Sequence, residues 1–330
     1  MKILLNKIYK HQVLTEQEAF DALIHITNQT YSEIEIAAFL SAFNMRSITV
    51  EELNGFRKAM LQQCVAIDLD AFQPMDVCGT GGDGKNTFNI STATAFVLAG
   101  AGIPIAKHGN YGVSSVSGSS NVMEHLGISF TNDTEKLNQQ MKEANLCFLH
   151  APLFHPAMKN VGAIRKQLAT KTFFNLLGPL TNPAQPKVQM VGLFHLQYLR
   201  LYQYLFQSSE VRYSIIHALD GYDEISLTAD TKVIFNTKEE VFSAHDFGFE
   251  KVQPHQIFGG NTVEEAAYIF EQILKGKGTK VQNQVVLANA AIGYKTYKPE
   301  TDLKDAVAIV TESLFRGKAL EKLTILKELQ

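Results

Sequence analysis

The chain contains 330 residues, 45% of them hydrophobic, with a formal net charge of −3, which predicts a globular protein with a large core and two domains. The small negative charge and the lack of a Lys/Arg run argue against nucleic acid as a partner, and no stretch approaches the ~20 apolar residues of a membrane span. The N-terminal apolar run is too short for a signal peptide, and the three cysteines are too few for a disulfide framework or a zinc site, so we expect a cytoplasmic protein.

Residues 1–72 carry the pattern of a small helical domain. Capping boxes mark three helix starts, at Thr15 with Glu18, Ser32 with Glu35, and Thr49 with Glu52. In the second of these helices we expect one buried stripe, formed by Ile34, Ala37, Ala38, Phe39 and Phe43. The segment is therefore predicted to be a helical bundle rather than part of a sheet.

Residues 73–330 change to short apolar runs separated by glycine turns and helices, which is typical of an α/β domain with a central, mostly parallel sheet. The predicted strands are 75–78, 103–107, 146–149, 187–192, 211–218 and 232–235. Helices are predicted between them, and in the last hundred residues at a capping box of Thr262 with Glu265 and around 286–294 and 303–317.

The segment 76–92 reads DVCGTGGDGKNTFNIST and joins a predicted strand to a predicted helix. It places glycines at positions 79, 81, 82 and 84. Glycine lets the backbone adopt positive φ and approach a ligand closely, and the helix that follows offers free N–H groups and the positive end of its dipole. This glycine loop is therefore predicted to bind an anion such as a phosphate group.

Two nucleotide-binding patterns overlap the glycine loop, and each fails at a specific position. A Walker A loop requires Ser or Thr after its lysine to hold magnesium, but Asn86 follows Lys85. A dinucleotide site requires an acidic residue about 20 positions beyond the glycines, whereas the segment 103–110 is cationic. The pattern therefore favours a phosphorylated or pyrophosphorylated ligand over a bare ribose.

Two more polar loops follow predicted strands, and in an open α/β sheet they would project from the same edge as the glycine loop. Residues 107–120 are rich in glycine and hydroxyl groups that donate to phosphate oxygens, and Asp223 and Glu224 are adjacent carboxylates of the kind that hold magnesium beside a ligand's phosphates. Taken alone, each has a plainer interpretation as a solvated loop or turn. That interpretation loses weight because the glycine loop is predicted to lie beside them.

A third group lies in residues 150–156 and 165–183. Arg165 is a candidate for binding a carboxylate through both guanidinium nitrogens. The residues alone favour a plainer interpretation, in which 175–179 is a helix end with a Gly and Pro stop and Arg165 is a surface helix residue.

Five segments occur together in an order and spacing that resemble the anthranilate phosphoribosyltransferases of tryptophan biosynthesis, and the resemblance covers nearly the whole chain. They are GTGGD at 79–83, NIST at 89–92, KHGN at 107–110, NLLGPL with NP at 175–183, and the acidic loop at 220–226. The resemblance implies transfer of the phosphoribosyl group of phosphoribosyl pyrophosphate to the amine of anthranilate. It also implies a helical domain of residues 1–72 joined by helices from about 165–188, hinges to the α/β domain of 73–330, and a homodimer formed through the helical domains.

The same resemblance implies the ligands of individual residues. Phosphoribosyl pyrophosphate would be bound by Gly79, Gly82, Asp83, Asn89, Ser91, Thr92, Lys107, Ser114, Ser115 and Ser119. Magnesium would be held by Ser91, Asp223 and Glu224, and anthranilate would pass Asn110, His155, Arg165 and Gly178. Thr87, Ile90, His108 and Gly109 complete the expected substrate-binding set. No acid or base catalyst is assigned, and Asn110 and Arg165 are expected to orient anthranilate.

The chain departs from the family pattern at several positions. Tyr111 stands where Arg is usual, Ser120-Asn121 replaces Ala-Asp, and Lys171 replaces an Arg. Lysine keeps the charge but lacks the planar guanidinium, so a bidentate role is not carried over to Lys171. The changes at Tyr111 and Asn121 are interpreted as a compensated pair that leaves the reaction class intact.

Two other functions fit parts of the pattern. A pyrimidine nucleoside phosphorylase shares this architecture and also cleaves a bond at an anomeric carbon, but it uses inorganic phosphate and does not need the acidic pair. A non-catalytic relative that binds nucleic acid is the second alternative. The acidic pair at 223–224 and the absence of a basic run weigh against both.

Overall fold

The computed structural model describes residues 1–112 and 116–330. A seven-stranded sheet runs through the larger part of the chain in the order β3-β2-β1-β4-β5-β6-β7. Its strands are β1 (Met75–Gly79), β2 (Ile105–Gly109), β3 (Leu146–His150), β4 (Val188–Gly192), β5 (Arg212–Ala218), β6 (Thr231–Phe235) and β7 (Glu239–Phe242). Strands β1 to β5 are parallel to one another, whereas β6 is antiparallel to β5 and β7 is antiparallel to β6.

All six strands predicted from the sequence are present, and the fold class is confirmed. The sequence analysis missed β7, a four-residue strand at the edge of the sheet. It begins with Glu239 and Glu240, and only Phe242 is buried. A strand that pairs on one side and carries charges is a protected sheet edge, and it lacks the apolar run by which the others were found.

Fifteen α-helices surround the sheet: α1 (Lys2–Tyr9), α2 (Glu16–Thr27), α3 (Glu33–Ala42), α4 (Val50–Gln62), α5 (Ile90–Gly100), α6 (Ser119–His125), α7 (Thr134–Ala144), α8 (Ala151–Phe154), α9 (Lys159–Leu168), α10 (Phe174–Leu177), α11 (Gln197–Gln207), α12 (Val263–Leu274), α13 (Lys280–Tyr297), α14 (Leu303–Phe315) and α15 (Lys318–Glu328), a count that covers the described residues. The predicted capping boxes of α2, α3 and α4 are all formed. At α12 the predicted box forms only in half: Thr262 accepts a hydrogen bond from the Glu265 N–H, but the Glu265 side chain accepts from the Asn261 N–H rather than from that of Thr262.

One prediction about α3 is wrong. Ile34 was expected in the buried stripe, but 83% of its surface is exposed, and Ala37 and Ala38 are only half-buried. The buried residues of α3 are Ile36, Phe39, Leu40 and Ala42. The helix is apolar around most of its circumference, so the sequence pattern did not single out the buried face.

The two faces of the sheet pack against different layers. Val77, Met190 and Ile216 point to one face, where α5 and α12–α15 cover the sheet. On the opposite face, Val191 and Ile215 join a second core that contains α11 and the N-terminal helices. The alternation along each strand thus gives the sheet two buried faces, as expected for a mainly parallel sheet.

The second core also draws in the segment 161–180, which contains most of α9 and all of α10. Phe173 stacks on Phe56 of α4 with ring centroids 4.1 Å apart, and Phe39 and Phe43 approach the same pair edge-on. These aromatic contacts bind the middle of the chain to the N-terminal helical bundle.

The sheet order fixes where a ligand can reach the strand ends. Strands β2 and β3 lie on one side of β1, whereas β4 and β5 lie on the other. The chain therefore reverses its direction of travel between β1 and β4, where Gly79 and Gly192 lie opposite each other. Such a switch point leaves a crevice at the carboxyl ends of the strands.

Candidate active site

A cleft of about 310 Å³ opens at this switch point, between the strand ends, α9 and α10. Of the residues predicted to bind substrate or metal, the ones that line it are Gly79, Gly82, Asp83, Thr87, Asn89, Ser91, Thr92, Lys107, His108, Gly109, Asn110, Ser119, Arg165, Gly178, Asp223 and Glu224. The fold thus brings together residues that are up to 145 positions apart, since Gly79 and Glu224 share one wall.

Two predicted residues of the described structure, Ile90 and His155, do not line the cleft. The side chain of Ile90 is fully buried in the core, and its N–H donates to the carbonyl of Phe88. His155 lies beneath the cleft, with Nε2 2.8 Å from the carbonyl oxygen of Thr181. Ser114 and Ser115 lie outside the described residues.

The glycine loop bends sharply, and close packing fixes its start. Gly79 and Gly192 lie against Asp223, because a Cβ built on Gly79 would be 2.4 Å from Asp223 Oδ2, and one built on Gly192 would be 1.6 Å from the Asp223 carbonyl oxygen. The N–H of Gly81 donates to Asp223 Oδ2 at 2.7 Å. Small residues at these two strand ends therefore allow the acidic loop to lie directly beneath the glycine loop.

The acidic loop presents two carboxylates with perturbed protonation. Burial raises the pKa of Asp223, and the Asp83 carboxylate raises it further. Burial and the neighbouring Asp223 likewise raise the pKa of Glu224, which accepts a hydrogen bond of 2.9 Å from the Ser91 N–H. Repulsion between carboxylates is relieved when a cation binds, so the pair is suited to hold one.

The donor set has the chemistry that magnesium prefers. Asp223, Glu224 and the Ser91 hydroxyl are hard oxygen ligands grouped at one end of the cleft. Within residues 1–112 and 116–330, no three His, Cys, Asp or Glu side chains form a group able to hold a metal by themselves. Magnesium is commonly bound by one or two carboxylates completed by ligand phosphates, and this set matches that arrangement.

Lys107 brings a positive charge to the floor of the cleft. Its Nζ donates to the Val77 carbonyl oxygen at 2.6 Å and lies 3.5 Å from Ser91 Oγ. Close by, the buried Asp76 accepts hydrogen bonds from the His108 N–H and from Asn182 Nδ2. Burial raises the pKa of Asp76 to about 6, with the charge of Lys107 opposing the change. This network holds the end of β2 against β1.

Two residues that depart from the family pattern, Tyr111 and Asn121, hold the polar loop of residues 107–120, called the second loop below. Asn121 Oδ1 accepts hydrogen bonds from the N–H groups of Gly112 and Gly118, at 2.9 and 3.0 Å. The Tyr111 hydroxyl donates to Glu124 at 3.3 Å. An amide oxygen accepts both loop hydrogen bonds as a carboxylate would, so Asn at position 121 preserves the geometry.

The far end of the cleft combines one cation with neutral rings. The Arg165 guanidinium lies 5.0 Å from the centre of the Phe174 ring, and burial lowers its pKa. His108 also lines the cleft, with its Nδ1 3.2 Å from the Gly178 carbonyl oxygen, and its Nε2 has no partner among the described residues. A guanidinium beside apolar rings is suited to a flat aromatic carboxylate.

We predict that His108 remains neutral throughout the physiological range. Burial lowers its pKa to about 3, and the nearby His155 contributes. In the unfolded chain the pKa of His108 has its ordinary value of about 6.5. As the pH falls, the unfolded state therefore binds a proton at a higher pH than the folded state does, and the free energy of unfolding decreases between about pH 6.5 and pH 3. NMR of histidine-labelled protein should show one ring, absent in His108→Asn, that is constant between pH 5 and 8 and titrates only in denaturant. A folded-state midpoint above pH 5 would contradict this.

Several cleft residues were not assigned from the sequence. Lys85, Phe88, Ser117, Ala151, Phe174, Asn175 and Cys78 all line it. Lys85 was considered only as part of a failed Walker A pattern, although a lysine inside a predicted phosphate loop is itself a signal. Burial raises the pKa of the Cys78 thiol to about 12, which disfavours the nucleophilic thiolate.

Two family models match the chain. "Glycosyl transferase family, helical bundle domain" matches residues 2–64, and "Glycosyl transferase family, a/b domain" matches residues 72–320. Among curated proteins, the anthranilate phosphoribosyltransferase of Flavobacterium johnsoniae is 54% identical over 329 residues, covering 100% of this chain and 99% of the relative. That of Bacteroides fragilis is 48% identical over 329 residues, again covering 100% and 99%.

Solved structures agree with the sequence comparison. An anthranilate phosphoribosyltransferase from Thermus thermophilus superimposes with a TM-score of 0.91 at 30% identity, covering 98% of both chains. The Saccharomyces cerevisiae enzyme in complex with PRPP and Mg superimposes with a TM-score of 0.91 at 27% identity, covering 98% of this chain and 96% of that one. A further structure of the yeast enzyme contains 4-fluoroanthranilate, with a TM-score of 0.88, 26% identity and the same coverage.

Proposed function

The chain belongs to the anthranilate phosphoribosyltransferase family, and on that premise we propose how its cleft divides the reaction among its residues. It transfers the phosphoribosyl group from phosphoribosyl pyrophosphate to the amine of anthranilate and releases pyrophosphate, a step of tryptophan biosynthesis. The observation that carries the assignment is the glycine loop lying directly on the Asp223 carboxylate.

The pyrophosphate group of the substrate binds at the glycine loop. Breaking the bond at the anomeric carbon builds positive charge on the ribose and negative charge on the leaving pyrophosphate. Loop N–H groups, the start of α5 and the Lys107 ammonium stabilise that negative charge. Asp223, Glu224 and Ser91 hold Mg²⁺, which when bound neutralises charge on the leaving group.

The residues of the second loop bind the rest of the sugar phosphate. Asn89 Nδ2 donates to the Ser117 carbonyl oxygen at 3.2 Å, which ties this loop to the start of α5. Ser119 Oγ accepts from the Asn110 N–H at 3.2 Å. The hydroxyls of this loop donate to phosphate oxygens, and the 114–115 serines, which lie outside the described residues, belong to the same proposal.

Anthranilate occupies the end of the cleft near Arg165, Asn110 and Gly178. Arg165 binds its carboxylate, and the neutral rings of Phe174 and His108 border its aromatic ring. An electron-poor anomeric carbon needs a correctly oriented amine more than a strong base, so these residues act by orientation. The helical domain, formed by residues 1–72 and joined by helices from about 165–188, closes on the rest of the 73–330 domain and excludes water from the activated sugar.

We also propose a homodimer formed through the helical domains and a cytoplasmic location. Ile3, Ile34 and Met45 are apolar side chains with 82–83% of their surface exposed, and all three lie in the helical domain. Ile3 and Ile34 lie on α1 and α3, which pack against each other, and this exposed apolar pair supports a partner surface there. The three cysteines are unpaired, as in a reducing compartment. In the described part of the chain, no helix has the length and apolar character to cross a membrane.

The assay that tests the function follows the fluorescence of anthranilate. Fluorescence should fall only when the protein, phosphoribosyl pyrophosphate and Mg²⁺ are all present, and a chelator should stop the change. A folded protein that leaves anthranilate unchanged under these conditions would contradict the assignment.

The Arg165→Ala substitution is expected to raise the KM for anthranilate about tenfold, while the KM for phosphoribosyl pyrophosphate changes less than twofold. The reason is the loss of one charge-assisted hydrogen-bonding partner for the carboxylate. Steady-state kinetics with each substrate varied in turn measure both constants. The neighbouring Lys166→Ala, an exposed residue of the same helix, is the control. An equal rise in both KM values would defeat the assignment of Arg165.

A further inference from the structure

Two lysines, Lys85 and Lys171, lie close to the glycine loop. Lys85 lies within the loop, and its Nζ is 4.7 Å from the centre of the Tyr222 ring. Lys171 lies between α9 and α10, and its Nζ is 4.3 Å from the centre of the Phe194 ring. Among the described residues, neither lysine forms an ion pair within 4.0 Å. Both side chains are exposed, so they can leave the rings at small cost.

Both lysines are positioned to reach an anion on the loop. The Cε of Lys171 lies 3.6 Å from where a Cβ of Gly82 would be, so its chain extends over the loop backbone. Asp83, between the two lysines, is affected by the charge of both, each of which opposes the rise in its pKa that burial causes. Lys85 and Lys171 therefore approach the loop from two sides.

At the glycine-loop end of the cleft, carboxylates outnumber the cations assigned so far, so two more cations have a role there. Asp83, Asp223 and Glu224 all line it, and Lys107 already donates to the Val77 carbonyl. A pyrophosphate group brings several further negative charges to the same place. Magnesium on the acidic pair neutralises part of that charge, and the oxygens that face the cleft mouth still need donors.

We propose that Lys85 and Lys171 form a clamp on the leaving pyrophosphate. When the substrate binds, their ammonium groups move away from the Tyr222 and Phe194 rings and bind the outer oxygens of the pyrophosphate. The inference rests on the proposed function and adds two substrate-binding residues to it. Lys171 belongs to the segment that packs with the N-terminal helices, since Phe173 and Phe174 lie in that core. Its contact with pyrophosphate therefore links the helical domain to the glycine loop, so that release of pyrophosphate loosens the closed cleft.

The test is the binding of inorganic pyrophosphate in the presence of Mg²⁺, measured by isothermal titration calorimetry on the full chain. Lys85→Ala and Lys171→Ala should each weaken binding about tenfold, and Lys85→Arg and Lys171→Arg should stay within threefold of the wild type. In kinetics, the alanine variants should raise the KM for phosphoribosyl pyrophosphate and change that for anthranilate less than twofold.

A matched control is Lys298→Ala, because that exposed lysine also lies over a ring, 5.8 Å from the centre of Tyr297. It is far from the glycine loop, since the Tyr297 carbonyl accepts a hydrogen bond from Arg212 at the amino end of β5, the opposite edge of the sheet. This variant should bind pyrophosphate as the wild type does. If the wild type binds pyrophosphate and the dissociation constants of both alanine variants are within twofold of the wild-type value, the clamp is refuted while the proposed function stands. If the wild type binds no pyrophosphate but consumes anthranilate in the fluorescence assay, the clamp is refuted and the proposed function stands. If it does neither, the proposed function itself fails. Melting temperatures within 2 °C of the wild type are required of every variant.

Discussion

The Asp223→Asn substitution is expected to lower kcat/KM for phosphoribosyl pyrophosphate about a thousandfold and to raise the Mg²⁺ concentration needed for half-maximal activity. Removing one preorganised charged group from a buried site typically costs a factor of a hundred to a thousand. Asp223 is 9% exposed, and its Oδ2 accepts a hydrogen bond from the Gly81 N–H, so this member of the acidic pair also holds the glycine loop. An amide of the same shape fills the space but carries no charge.

The measurement is a series of rate curves over Mg²⁺ concentration for the wild type and for the variant. Asp230→Asn is the control. Like Asp223, Asp230 follows β5 in the chain, but its carboxylate is exposed and lies outside the cleft lining. Asp223→Asn with the wild-type Mg²⁺ dependence would show that this carboxylate does not hold the metal.

The Gly192→Ala substitution is expected to lower the activity about a hundredfold and the free energy of unfolding by about 2–3 kcal/mol. The added methyl group would lie 1.6 Å from the Asp223 carbonyl oxygen and 2.7 Å from its carbonyl carbon. These are backbone atoms, so relief requires the acidic loop to move away from the end of β4. Because that loop carries both carboxylates, a steric change in the sheet becomes a loss of catalysis.

Gly162→Ala is the matched control for this effect. A Cβ at Gly162 would meet no atom within 4 Å among the described residues, and the glycine lies inside α9. Alanine favours a helix over glycine by ~0.5–1 kcal/mol, so this variant should be slightly more stable and fully active. Urea unfolding and steady-state rates measure both effects. A Gly192→Ala protein with wild-type activity would contradict the close packing of the acidic loop on the strand.

Local patterns in the sequence predicted the elements well. The capping boxes at Thr15, Ser32 and Thr49 are formed in full, because each depends on residues three positions apart. The strands were predicted from apolar runs that are buried on both faces of the sheet. The exposed Ile34 was placed wrongly because the partners that bury one face of α3, such as α9, come from distant sequence.

The chemistry of the site depends on distances that a linear pattern does not contain. The glycine loop was predicted to bind an anion from its own residues, whereas the contact of Gly192 with Asp223 joins β4 to the loop after β5. The positions of Lys171 over Phe194 and of Arg165 over Phe174 likewise follow from tertiary packing. On its own residues, Arg165 looked like a surface helix residue, but it lines the cleft.

The most direct test of the assigned cleft is a crystal structure of the protein with phosphoribosyl pyrophosphate and Mn²⁺, which replaces Mg²⁺ and gives an anomalous signal. We predict an anomalous peak beside Asp223 and Glu224, pyrophosphate on the backbone of residues 79–84, and the ribose facing Asn110 and Arg165. A metal peak away from the acidic pair, or pyrophosphate bound away from the glycine loop, would contradict the account.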